Sequence, residues 1–154
     1  MSLLSKAWRA FWRSTDRHAR VERGILRVEG KLVTRARVYF HGDCSVGAHS
    51  YFGGSAQVFL SDIGRYCSIA DGVVIGARAH RTDRLSTHPK IGGEPDEHHR
   101  VRIGHDVWIG VKAIVMPGVT IGDDVTIGAG SLVTTDIPSG SLAFGHPCKV
   151  QRAL

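Results

Sequence analysis

Four of the nine histidines of this chain lie in one short polar stretch near its middle. They are His80, His88, His98 and His99. An imidazole titrates close to neutral pH, so a histidine can take the proton of a hydroxyl group as that hydroxyl attacks an electrophile. An isolated histidine is more often structural or solvated. Whether one of these four does chemistry therefore depends on the elements that hold it in place.

A repeat of six residues indicates which structural elements hold these histidines. From Ile63 the blocks are IGRYCS, IADGVV and IGARAH, and from Ile103 they continue as IGHDVW, IGVKAI, VMPGVT, IGDDVT, IGAGSL and VTTDIP. Each block opens with Ile or Val, usually has glycine second, and has a small or β-branched residue fifth. This period is typical of a parallel β-helix, in which each block supplies one strand and one corner. The glycines indicate turns that need a positive φ or no side chain.

The repeat gives His80 a defined position. His80 is the last residue of IGARAH, where the chain leaves the repeat at a corner. Long insertions in a rigid scaffold commonly carry function. The interruption, about residues 81–100, is charged and contains two glycines and two prolines, so we expect a projecting loop. His80 stands at the entrance of that loop and is the candidate general base.

The first 24 residues predict a short amphipathic helix. Leu4, Ala7, Trp8 and Phe11 recur at helical spacing, and arginines follow another side of the helix. Residues 1–37 hold ten Lys or Arg residues against three acidic ones. The helix either packs on the protein or docks on an anionic membrane surface through residues 3–20. We expect no nucleic-acid partner, because no nucleic-acid-binding motif accompanies the charge.

Residues 25–154 are expected to form a single β-helix domain. An alternation of apolar residues from Ile25 to Phe40 predicts strands, with Gly30 at a turn. The six-residue frame can be traced back to Phe40, but it slips by one residue before Ile63. The slip predicts an irregular early coil.

The cysteines and the hydropathy exclude several other classes of protein. Cys44, Cys67 and Cys148 form no paired motif, so we expect neither a thiol nucleophile nor a metal site from them. No run of 18 apolar residues could span a membrane, and the N-terminus lacks the features of a signal peptide. These features favour a cytoplasmic location. The basic helix could hold the protein at the inner face of the membrane.

Several motifs resemble the hexapeptide-repeat acyltransferases. They are DVWIG (106–110), MPGV (116–119), IGAGSLVTTDIP (127–138) and GHPCKVQR (145–152). AHRTDRLSTHP (79–89) is similar to the active-site stretch of the xenobiotic acetyltransferase branch, and short saccharide O-acetyltransferases carry a similar stretch. The resemblance implies a left-handed β-helix, a homotrimer, and acetyl-CoA bound between adjacent subunits.

The resemblance also implies roles for individual residues. His80 matches the catalytic histidine, which deprotonates the acceptor hydroxyl for direct attack on the thioester. Asp83 and His88 are candidates for contact with the acceptor. The candidates for binding acetyl-CoA are Trp108, Val111, Ala129 and Thr134, with Lys149 and Arg152 near the nucleotide phosphates.

The sequence leaves three functions to compare and disfavours a fourth. The favoured one is an O-acetyltransferase for a saccharide of a cell-surface polymer or its precursor. An antibiotic O-acetyltransferase is the alternative, and a non-catalytic trimeric scaffold is a weaker one. A zinc carbonic anhydrase of this fold needs two histidines five residues apart, whereas His105 is followed at that distance by Gly110. We therefore expect no metal.

Overall fold

The computed structural model describes residues 18–22, 24–77, 80, 82–92 and 99–154. Within these residues the chain winds into about six coils, and its strands stack into three sheets that form the faces of a prism. The strands pair in parallel from coil to coil, and the last two, Ser141–Gly145 and Cys148–Ala153, form an antiparallel hairpin. The predicted fold class, an all-β parallel β-helix of hexapeptide repeats, is confirmed.

The strands alternate among the three sheets along the chain. Sheet A contains β1 (Ala19–Glu22), β4 (Val38–His41), β7 (Ala56–Phe59), β10 (Val73–Ile75), β13 (Ile114–Val115) and β16 (Leu132–Val133). Sheet B contains β2 (Leu26–Val28), β5 (Cys44–Val46), β8 (Ser61–Ile63), β11 (Val101–Ile103) and β14 (Thr120–Ile121). Sheet C contains β3 (Val33–Thr34), β6 (Tyr51–Phe52), β9 (Ser68–Ile69), β12 (Trp108–Ile109), β15 (Thr126–Ile127), β17 (Ser141–Gly145) and β18 (Cys148–Ala153).

Three columns of turns connect the sheets and form the corners of the prism. Of the described residues, the A–B corner contains 42–43, 60, 76–77, 80, 82–92, 99–100, 116–119 and 134–136. The B–C corner contains residues 47–50, 64–67, 104–107, 122–125 and 138–140. The C–A corner contains residues 53–55, 70–72, 110–113 and 128–131.

The residue that opens each block lies inside the prism. Ile63, Ile103 and Ile121 form one such ladder through sheet B, where equivalent residues face each other in the strand register. These side chains are at most 4% exposed. The fifth residue of each block is also buried where it is described, as Cys67 and Val125 illustrate. The hydrophobic core predicted from the period is therefore confirmed.

The glycines at the second position serve close approach rather than backbone conformation. A Cβ on Gly110 would lie 2.6 Å from the backbone nitrogen of Ala129 in the next coil. The positive φ needed by the turn falls instead at the fourth position, at Tyr66, Asp106 and Lys112 among others. Gly76 is an exception, because it stands second in its block and has a φ of 72°. At these corners, close packing between coils therefore requires a glycine at the second position, and the turn requires a positive φ at the fourth.

The predicted irregularity before Ile63 is present. In the third coil the A–B corner is a single residue, Leu60, between β7 and β8. Its φ of 39° is positive, which is unusual for a leucine. One residue has been removed from a corner while the strand register on both sides is kept.

The prediction of a helix over residues 1–24 is wrong for its last residues and otherwise lies outside the described residues. Ala19–Glu22 form β1, which pairs in parallel with β4. Backbone hydrogen bonds hold it there, including one from Val38 N–H to His18 C=O at 3.0 Å. Most side chains of β1 are exposed, so the strand has no alternation of buried and exposed residues. The sequence pattern therefore did not indicate this long-range pairing. The described β-helix accordingly begins before residue 25.

The interruption is a projecting segment, as expected. Among the residues described between 82 and 92 there is no strand, and Pro89–Gly92 form a short helix, α1. Leu85 and Ile91 are largely exposed. In the described part of the chain, no helix is long and apolar enough to cross a membrane.

Two glycines at the same position of consecutive blocks give a matched test of coil packing. A Cβ on Gly47 would lie 2.6 Å from the carbonyl carbon of Gly64, whereas a Cβ on Gly53 would have its nearest neighbours at 3.6 and 3.7 Å. Neither glycine has a positive φ. We expect Gly47→Ala to lower the free energy of unfolding by about 1–3 kcal/mol through forced backbone shifts. Gly53→Ala should leave the thermal unfolding midpoint nearly unchanged. Equal midpoints for the two variants would contradict this account.

Candidate active site

His80 lies where the chain leaves the prism. After β10, the amides of Gly76 and Ala77 both donate to the carbonyl of Val115 in the next coil, at 2.8 and 3.4 Å. These bonds fix the start of the projecting segment at the A–B corner. His80 follows three residues after Ala77 and is exposed. The structure therefore places His80 on the surface, three residues beyond the fixed point at Ala77.

Asp83 and His88, the two residues predicted to contact the acceptor substrate, lie farther along the same segment, and both are exposed. Asp83 lies 4.0 Å from the guanidinium of Arg84. The His88 Nδ1 accepts a hydrogen bond from the Lys90 backbone N–H at 3.2 Å, and the His88 backbone N–H donates to the Ser86 hydroxyl at 3.1 Å. These bonds fix His88 at the start of α1.

Three of the predicted acetyl-CoA contacts lie together at the C–A side. Trp108 stands on the outer face of sheet C between Ser68 and Thr126, and its side chain is 56% exposed. Val111 and Ala129 occupy the same corner in neighbouring coils, where the Gly130 N–H donates to the Val111 carbonyl at 2.8 Å. Small residues leave the backbone there accessible beside an exposed indole. An extended chain with amide groups could lie along such a surface.

The remaining predicted contacts are divided between two places. Thr134 follows β16 and lies at the A–B corner, on the same side as His80. Lys149 and Arg152 are on β18, opposite Phe144 and Leu142, and both are exposed. Among the described residues neither has a carboxylate partner. These two cations stand next to the face that carries Trp108.

One chain does not bring the two halves of the predicted site together. His80 lies after the carboxyl end of a sheet A strand, whereas Val111 and Ala129 precede the amino ends of the neighbouring strands. The width of sheet A separates them. A groove of about 520 Å³ does exist on the chain, but it lies at the B–C corner and is lined by Arg27, Arg65 and His105 among others. Two of its lining residues, Arg65 and Glu29, form an ion pair with two hydrogen bonds. This pairing holds the pKa of the Glu29 carboxyl below its usual range.

Sequence reasoning missed a cluster at the carboxyl ends of the first three strands of sheet A, β1, β4 and β7. The His41 ring stacks on Phe59, with centroids 4.3 Å apart and planes 10° apart, and its Nδ1 lies 3.4 Å from a Glu22 carboxylate oxygen. These three residues face each other in the register of β1, β4 and β7. The available signal was that His41 and Phe59 occupy equivalent positions in consecutive coils. That equivalence is visible only once the coil length is known.

The chain resembles known transferases over different lengths. A model of the family described as bacterial transferase hexapeptide (six repeats) matches residues 100–135. A chloramphenicol acetyltransferase of Agrobacterium fabrum is 34% identical in an alignment 137 positions long, which covers 70% of this chain and 66% of that protein. The galactoside O-acetyltransferase of Escherichia coli is 54% identical over 54 residues, or 35% of this chain and 27% of that protein. The chain thus spans less than two thirds of either relative.

Solved structures show the same architecture. A mutant of the GDP-perosamine N-acetyltransferase of Caulobacter crescentus, in complex with CoA and GDP-perosamine, superposes with a TM-score of 0.68. The two chains are 26% identical, and the match covers 88% of this chain and 54% of the other. The arrangement of coils is therefore shared with a protein whose complex contains both a CoA and a sugar nucleotide.

Neither a thiol nucleophile nor a metal cluster is found in the described residues. All three cysteines are buried, and burial raises the pKa of each thiol. The Cys67 Sγ lies 3.2 Å from the Gly104 carbonyl, inside the prism. No group of three His, Cys, Asp or Glu side chains in the described ranges could hold a metal ion.

The buried thiols give a prediction with a definite pH dependence. A raised pKa lowers the thiolate fraction at neutral pH, and the thiolate is the reactive species. We expect the native protein to react with a disulfide reagent much more slowly than the unfolded protein at pH 7. The rate should rise as the pH increases toward the raised pKa values. Fast labelling of one thiol in the folded state at pH 7 would contradict the burial described here.

Proposed function

Because the chain belongs to the hexapeptide-repeat transferase family, we propose that it is an acetyl-CoA-dependent O-acetyltransferase with His80 as general base. One observation supports this most directly. Within the described coils a long insertion occurs at one A–B corner, and an exposed histidine follows the exit at that corner. The local sequence AHRTDRLSTHP is the stretch by which the chain resembles the active site of such enzymes.

The proposed reaction is a direct transfer. The neutral His80 imidazole takes the proton of an acceptor hydroxyl as its oxygen attacks the thioester carbonyl of acetyl-CoA. The tetrahedral intermediate then collapses, the carbon–sulfur bond breaks, and the CoA thiolate leaves and takes up the proton from the imidazolium. A backbone N–H near the thioester would stabilise the developing oxyanion, a contribution of about 3 kcal/mol in other acyl transfers. The buried cysteines take no part in an acyl-enzyme.

The acyl donor is proposed to bind at the C–A corner. Val111 and Ala129 provide accessible backbone for the pantetheine arm, and Trp108 provides a flat apolar wall. Lys149 and Arg152 would pair with the phosphates, which are multiply charged and favour basic partners. Thr134 would contact the donor from the opposite, His80 side. The CoA seen with the Caulobacter crescentus relative supports this class of donor.

A complete site then requires a second copy of the chain. The two corners that carry the proposed groups flank sheet A, whose outward residues in the last coils are Val74, Ile114 and Leu132. These aliphatic side chains are half-buried, whereas the equivalent residues of the first coils are polar, namely Arg20, Tyr39 and Gln57. An apolar face flanked by the two halves of a site suits a homotrimer that places the A–B corner of one subunit beside the C–A corner of the next.

The favoured acceptor is a hydroxyl of a saccharide from a cell-surface polymer or its precursor. The galactoside O-acetyltransferase of Escherichia coli and the sugar nucleotide bound by the Caulobacter crescentus relative support it. An antibiotic of the chloramphenicol type is the second candidate, because the chloramphenicol acetyltransferase matches the chain over a greater length. CoA release measured with sugars, chloramphenicol and a streptogramin separates the two. Turnover of an antibiotic alone would reject the saccharide proposal.

We also propose that the protein works in the cytoplasm, at the inner face of the membrane. The basic and apolar residues between positions 3 and 20 support this, because lipid-linked glycans would be concentrated there. Sedimentation with anionic vesicles tests it. Equal binding of the full chain and a chain lacking residues 1–17 would reject the membrane role.

Replacing His80 tests the proposed function directly. We expect His80→Ala to lower turnover by about two to four powers of ten, because only the proton transfer is lost. The affinity for acetyl-CoA, measured by calorimetry, should stay within about twofold of the native value. His49→Asn is a matched control, since His49 is exposed at the B–C corner and its positive φ is tolerated by asparagine. Full turnover by His80→Ala would overturn the assignment.

A further inference from the structure

Arg100 anchors the end of the projecting segment on the outer face of sheet B. Its side chain is 29% exposed, and Nη1 donates to an Asp62 carboxylate oxygen at 2.9 Å and to the Asp43 carbonyl at 3.2 Å. The same Asp62 oxygen accepts the Ser45 hydroxyl at 2.7 Å. One cation therefore joins the fourth coil to the second and third coils. An exposed ion pair contributes little to stability. The Arg100 side chain is partly buried and donates to two oxygen atoms, so we expect its contacts to contribute more.

The neighbouring residues fix the return of the chain on its other side. The Gly118 N–H of the fifth coil donates to the His99 carbonyl at 3.1 Å, and the Val101 N–H donates to the Leu60 carbonyl of the third coil at 3.2 Å. The His99 side chain lies over Gly118, where an added Cβ would come within 3.2 Å of it. Residues 99–101 are thus held between the coils before and after them.

We propose that Arg100 is a positioning residue for the acceptor. The segment that it anchors carries Asp83 and His88, and the other end of that segment leaves the prism just before His80. Fixing both ends of a loop limits the positions that its middle can reach. By fixing the return end of the segment, the Arg100 contacts limit the positions that Asp83 and His88 can take up around the acceptor. This inference rests on the proposed function, because it concerns the same site.

The contacts of Arg100 are separate from those that hold the fold. The backbone hydrogen bonds of β11 do not involve the Arg100 side chain. One of them runs from the Arg102 N–H to the Val119 carbonyl at 3.1 Å. Val101 and Ile103 stay in the core. Loss of the guanidinium should therefore loosen the projecting segment without unfolding the coils. Acetyl-CoA, proposed to bind mainly at the C–A corner, should be little affected.

The test compares Arg100→Gln with Arg102→Gln. Arg102 stands on the same strand, faces outward, and has no carboxylate partner in the part of the chain that the structure describes. We expect Arg100→Gln to raise the acceptor KM about tenfold, as loss of a charge-assisted contact would, with kcat and the acetyl-CoA KM within about twofold. Arg100→Lys should recover part of the loss, and Asp62→Asn should reproduce it. The double variant Arg100→Gln with Asp62→Asn should be no worse than either alone, because both remove one interaction.

A second readout needs no acceptor and so distinguishes failure of this inference from failure of the proposed function. Tryptic cleavage after Arg84 and Lys90, mapped by mass spectrometry, should be faster in Arg100→Gln than in the native protein or Arg102→Gln. Unchanged cleavage would overturn the anchoring role even if no acceptor had been identified. Faster cleavage with an unchanged acceptor KM would overturn the role in acceptor binding. An equal rise in the KM of both substrates would also contradict it.

Discussion

Hydrogen bonding between stacked coils is the constraint on which the rest of this structure depends. Parallel strands in a sheet lie about 4.8 Å apart, so every coil must repeat the path of the one before it at that distance. Bonds such as those from Gly64 N–H to the Ile103 carbonyl and from Gly110 N–H to the Ile127 carbonyl, both 2.8 Å, continue this stacking into the corners. The corners therefore have no room for a Cβ at glycines such as Gly64 and Gly110. A strand has no freedom to bulge without breaking the bonds on both of its sides.

The same constraint determines where chemistry can be added. Extra chain has to leave and re-enter at a corner, and the structure shows this between Gly76 and Arg100. The rigid coils give His80 a fixed origin at the exit, and the contacts of residues 99–101 give the segment a fixed end. A prism face is flat, so a single chain offers exposed groups at two corners and no closed cleft between them. Our account therefore depends on a neighbouring copy to complete the proposed site.

Much of the fold could be predicted because the repeat is local. The first residue of every block points inward, so the burial of Ile63, Ile69 and Ile75, one in each sheet, follows directly from the repeat. The position of His80 was predictable for the same reason, because it marks the end of an uninterrupted run. Pairings between distant parts of the chain were not predictable from periodicity. β1, the stack of His41 on Phe59 and the Arg100 contacts all join residues in different coils, and their side chains follow no six-residue rule. The position of the positive φ was also missed, because Tyr66, Asp106 and Lys112 share a conformation and no side-chain chemistry.

Activity of mixed trimers tests the central claim, that His80 of one subunit acts on acetyl-CoA held by the next. His80→Ala removes the base, and Ala129→Trp fills the exposed C–A corner, so each variant alone should be nearly inactive. When the two are assembled together in equal amounts, with different tags to confirm mixing, random assembly into a trimer pairs an intact His80 with an intact neighbouring Ala129 at about one interface in four. The account predicts recovery of about a quarter of the native activity. Confirmed mixed trimers with no recovery would show that both groups act within one chain, and would contradict it.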